Sequence, residues 1–136
     1  MRNMKLIGVG IVIVLALGII SYVALQGRRE GVVQGIETVS VEVYREALPG
    51  RQIVDVRTQE EYDAGHIPNA ENIDFYSPTF SEQFDRFNRD TPLAIYCRSG
   101  GRSGQALEVL VDMGFSDVVD LQGGFMAWEK AGERVE

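Results

Sequence analysis

Apolar and polar residues alternate in short runs along most of this chain, with one exception near its start. Residues 6–25 carry no charge and are apolar on every side, which rules out an ordinary half-buried surface helix. Twenty helical residues at about 1.5 Å each match the ~30 Å hydrocarbon core of a bilayer. Beyond this span the runs shorten to strand and helix lengths. Residues 36–39 read as a strand. Ser40 stands where a helix over 41–48 needs its N-cap, and Pro49-Gly50 stops that helix. Residues 52–56 read as a buried strand around Asp55, 59–64 as a short helix ending at Gly65, and 70–73 as a brief strand. Phe80, Phe84 and Phe87 share one face of a helix over 79–88, which Thr91-Pro92 ends. Residues 93–96 form an apolar strand. Ala106, Leu107, Leu110 and Met113 line one face of a helix over 102–113. A strand over 117–121, the pair Gly123-Gly124 and a helix over 125–130 complete the series. Five strands alternating with helices imply crossover connections: an α/β fold with a five-stranded parallel sheet covered on both faces.

The chain divides into a basic leader (1–5), the apolar span (6–25), a linker (26–35) made flexible by Gly27, Gly31 and Gly35, and a folded domain (36–132). A cleaved signal peptide would have a shorter apolar core and a small-x-small cleavage site. This core is longer, and Val23-Ala24-Leu25-Gln26-Gly27 offers no such site, so an uncleaved membrane anchor fits better. Arg2, Lys5 and the α-amino group on one flank slightly outweigh Arg28 and Arg29 on the other. That balance favours an internal N-terminus and a domain outside the cytoplasm.

Charge narrows the partners. Residues 30–136 hold nine basic and twenty acidic residues, a formal charge of −11. Such a domain is a poor partner for nucleic acid or for an anionic membrane face. The single cysteine excludes an intrachain disulfide and a Cys-rich metal site. No carboxylate or histidine cluster has metal-ligand spacing, and no cofactor is expected.

That cysteine opens the stretch Cys97-Arg98-Ser99-Gly100-Gly101-Arg102-Ser103, which joins the strand over 93–96 to the helix that follows. Two glycines let the backbone curl, so that successive N–H groups and a helix N-terminus converge on one point. Arg98 and Arg102 add fixed positive charge. A free thiol titrates at about 8.5, and helix N-termini or nearby cations bring it to roughly 3.5–7.5. Cys97 is therefore expected to be a thiolate nucleophile at the C-terminal end of a strand, where parallel α/β sheets place their ligands.

Three stretches, in this order and spacing, resemble the rhodanese domain family over roughly residues 36–132. The first is Asp55-Val56-Arg57-Thr58-Gln59-Glu60-Glu61-Tyr62-Asp63-Ala64-Gly65-His66-Ile67-Pro68-Asn69-Ala70, with Asn72-Ile73 behind it. The second is the Cys97–Ser103 loop, and the third is Leu121-Gln122-Gly123-Gly124-Phe125-Met126-Ala127-Trp128. The resemblance implies a rhodanese-like three-layer fold and thiosulfate sulfurtransferase activity, with Cys97 carrying a persulfide between donor and acceptor. Arg98 and Arg102 would bind a small anionic sulfur donor, thiosulfate or a persulfide. The N–H groups of Arg98, Ser99, Gly100, Gly101, Arg102 and Ser103 would stabilise the persulfide anion. With no second cysteine in the chain, the acceptor must come from outside: a small thiol, cyanide, or a protein such as a thioredoxin-like one.

Cys-x5-Arg phosphatases need arginine six positions after the cysteine. Here Ser103 holds that position and Arg102 comes one earlier, so the six-residue loop 97–102 resembles the sulfur enzymes of the superfamily. Asp55 and Arg57 read as a structural ion pair near the site. His66 reads as part of a structural turn, Trp128 as core, and Glu60 and Glu61 as solvated helix charges. The alternative function is a membrane-tethered sulfur-carrier or protein-interaction module with little turnover of its own.

Overall fold

The computed structural model describes residues 34–136. The leader, the apolar span 6–25 and most of the linker lie outside the described residues. Among the described residues no helix is long and apolar enough to cross a membrane.

Strands β1 (Ile36–Val39), β2 (Gln52–Asp55), β3 (Glu71–Asn72), β4 (Leu93–Tyr96) and β5 (Val118–Leu121) alternate with helices α1 (Val41–Ala47), α2 (Gln59–Asp63), α3 (Phe80–Phe84), α4 (Gly101–Asp112) and α5 (Gly124–Lys130). All pairings are parallel, in the order β1-β5-β4-β2-β3. Central β4 is buried along its whole length, which is why Leu93-Ala94-Ile95-Tyr96 reads as an unbroken apolar run.

The two-residue period of a strand sorts these side chains into two cores. Leu93 and Ile95 pack with Val54, Val56, Val118, Phe80, Phe84, Ala106 and Leu110 under α3 and α4. Ala94 and Tyr96 pack with Ile53, Val119, Leu121, Tyr44, Phe125 and Trp128 under α1 and α5. Cys97 continues the first set and so faces α4.

Most element ends fall within a residue or two of expectation, the usual scatter of helix and strand boundaries. The helix expected over 79–88 is the exception and stops at Phe84. A continuing helix would offer the Phe84 carbonyl to the Asn88 N–H. Here Phe87 N–H takes it at 3.0 Å and Arg89 Nη1 donates to it at 3.2 Å. The strand expected over 70–73 contracts to two residues, because the Asn72 amide turns back to donate to the Asp55 and Arg57 carbonyls. Ser40 occupies the N-cap of α1 with extended backbone, but its hydroxyl caps no helix N–H. Beyond residue 132 the chain stays hydrogen-bonded to the domain: His66 and Glu136 exchange backbone hydrogen bonds of 2.8 and 2.9 Å.

Candidate functional site

The chain leaves β4 at Cys97 and enters α4 at Gly101 through Gly100, whose φ of 104° lies in the left-handed region that glycine adopts without a Cβ penalty. This turn folds the chain back over the cysteine. The Gly100 N–H donates to Cys97 Sγ at 3.0 Å, and the Ser103 hydroxyl, buried in the first turn of α4, approaches it at 3.5 Å.

The far side of the loop is held by α5. Its N-terminal amides have no partner within their own helix. Phe125 N–H donates to the Cys97 carbonyl at 2.7 Å, and Met126 N–H donates to the Arg98 carbonyl at 3.1 Å. The approach demands glycine at 124: an added Cβ would lie 2.5 Å from the Cys97 carbonyl oxygen and 2.6 Å from the Arg98 carbonyl carbon. The Gly123-Gly124 pair thus clamps the cysteine loop from behind.

Cys97 is 1% exposed. Burial alone would push its thiol up. The Ser103 hydroxyl and the amides of Ser103, Gly100 and Ser99 more than offset this, so the thiol sits below its ordinary value. Of the loop donors expected around the sulfur, the Gly100 N–H and the Ser103 hydroxyl make hydrogen bonds to it, and the Ser99 and Ser103 amides also act on it.

The two loop arginines have different surroundings. Arg102 is bound by Glu61: Nη1 donates to Oε2 at 2.6 Å and Nη2 to Oε1 at 2.9 Å. Glu61 is therefore not the solvated helix charge its sequence context suggested, and its carboxyl is pulled down to about 2, chiefly by Arg102. Its partial legibility lay in the Thr58-x-x-Glu61 capping box, which forms as written at the start of α2. Arg98 is exposed and lines a cavity of about 250 Å³ with Glu61, Gly65, Phe125, Met126 and Glu129. It has no ion pair among the described residues. Ser99 and Gly101 lie exposed on the loop's outer surface.

Asp55 and Arg57 form a buried ion pair at the end of β2. Nη2 of Arg57 meets Asp55 Oδ2 at 2.7 Å and the Gly65 carbonyl at 2.6 Å. The guanidinium also stacks over Phe125, 4.1 Å from the ring centroid. The pair thereby joins β2, the turn after α2 and the start of α5. His66 stacks on Tyr62, its ring centroid 3.8 Å away, and contributes no hydrogen bond to Cys97. One polar residue near the site had no sequence signal beyond its oddity in an apolar strand: Asp120 in β5 is 2% exposed.

No group of acidic, histidine or cysteine side chains among the described residues is arranged to hold a metal ion. The arrangement can ionise a thiol, shield it from water and stabilise an anion built on it.

Comparison with known proteins agrees with this geometry. The family model of the rhodanese-like domain matches residues 40–131. Thiosulfate sulfurtransferase 16, a chloroplast protein of Arabidopsis thaliana, is 37% identical over 106 residues, covering 70% of this chain and 88% of that protein. Thiosulfate sulfurtransferase GlpE of Pseudoalteromonas translucida is 40% identical over 88 residues, covering 62% of this chain and 79% of GlpE. Among solved structures, a rhodanese-related protein from Thermoplasma volcanium has a TM-score of 0.67 at 29% identity, covering 74% of this chain and 97% of that one. The chain belongs to the rhodanese-like domain family.

Proposed function

We propose that this protein is a sulfurtransferase that carries sulfane sulfur as a Cys97 persulfide. The observation that carries the reading is the hydrogen bond from Gly100 N–H to Cys97 Sγ at 3.0 Å, part of a donor set that lowers the thiol pKa despite burial. The Cys97 thiolate attacks the outer sulfur of thiosulfate. A Cys97–sulfur bond forms, the donor's sulfur–sulfur bond breaks, and sulfite departs with the electron pair. Arg98 and Arg102 bind the sulfonate end and offset the charge on departing sulfite. The loop amides then hold the terminal persulfide sulfur. Cyanide or a thiolate attacks that sulfur, takes it away as thiocyanate or a new persulfide, and returns the Cys97 thiolate. Two half-reactions through one covalent intermediate give ping-pong kinetics.

The test is thiosulfate:cyanide turnover of the purified full chain, together with its intact mass after thiosulfate alone. Thiocyanate formation and a gain of one sulfur atom on Cys97 are expected, and Cys97→Ser should lose both. Full turnover by that variant would overturn the reading.

A second reading, a sulfur carrier with little thiosulfate turnover, is favoured by the Glu61–Arg102 pair. Glu61 offsets the charge of one of the two arginines that a dianion would meet. Persulfidation of Cys97 by an organic persulfide, with negligible use of thiosulfate, would select it.

We also propose that residues 6–25 anchor the protein in a membrane, with the domain on the extracytoplasmic side. The support is the uncharged span and the distribution of basic residues around it. Extraction of the full chain from membranes by alkaline carbonate, or protection of the domain from protease added outside intact cells, would refute the anchor or the orientation respectively.

A further inference from the structure

Beside the strand that delivers the cysteine, buried in β5, lies a carboxyl group that the sulfur chemistry above does not use. Asp120 is paired across the sheet with Ile95 of β4 and Thr38 of β1. Strand alternation places it with Val118 on the α4 face, the same face as Cys97. Its carboxyl is buried: Thr38 Oγ1 donates to Oδ2 at 3.3 Å, and the Ser103 hydroxyl and the Leu121 amide also act on it. Oδ1 has no aligned hydrogen-bond partner. A buried, half-satisfied carboxyl is costly and calls for an explanation.

The group above it on α4 is Ser103, buried in the first turn of the helix; its hydroxyl lowers the Asp120 carboxyl as a donor would, while its aligned hydrogen bonds go to Cys97 Sγ and the Gly100 carbonyl. That hydroxyl has one proton and several competing acceptors. They are Cys97 Sγ at 3.5 Å, the Gly100 carbonyl at 3.4 Å, and the Asp120 carboxyl.

We propose that Asp120 is a positioning residue for Cys97, acting through Ser103: its protonation state decides whether the Ser103 proton points at the sulfur or away from it. When Asp120 is protonated, its own O–H donates to Ser103 Oγ, and the Ser103 proton turns to the sulfur. When Asp120 is ionised, the carboxylate takes the Ser103 proton. The sulfur then keeps only its backbone donors, which disfavours the thiolate and the persulfide anion. No bond to sulfur is made or broken, and the only proton that enters or leaves is that of Asp120.

Burial supports this by lifting the Asp120 carboxyl to about 6, into the range where the switch would operate. The groups facing it are few. Strand β1 contributes Thr38, α4 contributes Ser103 and β5 itself the Leu121 amide; Tyr44 of α1 packs in the core on the opposite sheet face, its phenol raised chiefly by burial and in part by the charge of Asp120. No cation among the described residues is among the causes that set the Asp120 pKa.

This inference builds on the sulfurtransferase reading but is tested without turnover. The rate of Cys97 alkylation by iodoacetamide is followed in the full chain from about pH 4 to about pH 9, the range that contains both ordinary titrations. The wild type is expected to show two inflections, one of them near 6. Asp120→Asn keeps the shape and ends the titration. It should show one inflection, with the thiol shifted down by about one unit, the coupling typical of interacting sites, and hence roughly tenfold faster alkylation below the thiol pKa. In a Ser103→Ala background the effect of Asp120→Asn should vanish. A wild-type profile with a single inflection overturns the proposal even if the variants do not fold. So does an Asp120→Asn profile that superimposes on the wild type, or an Asp120 effect that persists without Ser103. Loss of sulfurtransferase activity with this coupling intact would count against the function alone.

Discussion

Arg102, in the first turn of α4, is gripped by both carboxylate oxygens of Glu61 in α2, and the same Glu61 Oε2 also accepts the Thr58 N–H at 3.2 Å. One carboxylate therefore caps a helix and offsets the charge of Arg102. If Arg102 binds the sulfonate end of thiosulfate, Glu61→Gln should strengthen that binding. In a partly exposed setting the gain is about 1 kcal/mol, so the thiosulfate KM should fall roughly fivefold. Steady-state kinetics with thiosulfate and cyanide measure it. An unchanged or raised KM would show that Glu61 matters only for holding Arg102 in place.

The same pair sets an acid limit on stability. The Glu61 carboxyl is lowered in the folded state from 4.5 to about 2. Its contribution is complete above 4.5 and is lost as pH falls from there toward 2. Chemical denaturation at a series of acidic pH values should show this loss in the wild type and its absence in Glu61→Gln.

Asp120 acts in the opposite direction. Its folded pKa is raised from 3.8 to about 6, so the native state binds more protons than the unfolded chain between those values. Stability should fall as pH rises through that window, by up to about 3 kcal/mol. Asp120→Asn should flatten the curve there. A wild-type midpoint that rises between pH 4 and pH 6 beyond any change in the variant would contradict the Asp120 shift.

The two glycines that begin α4 and α5 are expected to respond differently to alanine. At Gly101 an added Cβ meets nothing within 4 Å. Gly101→Ala should leave activity intact and stabilise the fold by roughly 0.5–1 kcal/mol, the usual helix preference for alanine. At Gly124, φ is 60° and the Cβ would strike the Cys97 and Arg98 carbonyls. Gly124→Ala should displace the loop, cost roughly 3 kcal/mol or more, and slow Cys97 alkylation sharply. Thermal unfolding and alkylation rates of the two variants make the comparison.

Arg57→Met leaves the fully buried Asp55 carboxylate without its guanidinium. Removing one member of a buried pair typically costs about 3–5 kcal/mol, whereas replacing both is far milder. Arg57→Met should therefore unfold at much lower denaturant than Asp55→Asn/Arg57→Met. Equal losses in the two variants would mean that the pair contributes through packing on Phe125 rather than through charge.

What the sequence determined by itself was local. The continuous apolar run of β4, the Pro49-Gly50 stop, the glycines around Cys97 and the alternation of strands with helices each depend on a few neighbouring residues. Each limits the backbone whatever surrounds it. Those signals were enough for the five-stranded parallel sheet and for a curled loop at the end of a strand.

Tertiary structure alone decided which distant groups meet. Glu61 and Arg102 are 41 positions apart. The Gly124 region reaches the Cys97 carbonyl across β5, and Asp120 approaches Ser103 only because β5 lies beside β4 and beneath α4. Helix termination at Phe84 depended on Arg89 reaching back to a carbonyl. Charge pairing and burial depend on distance in space, and periodicity carries no information about which partner will arrive. For that reason a glutamate on a short helix looked solvated, and an aspartate inside an apolar strand looked unremarked, until the sheet brought each to its arginine or its serine.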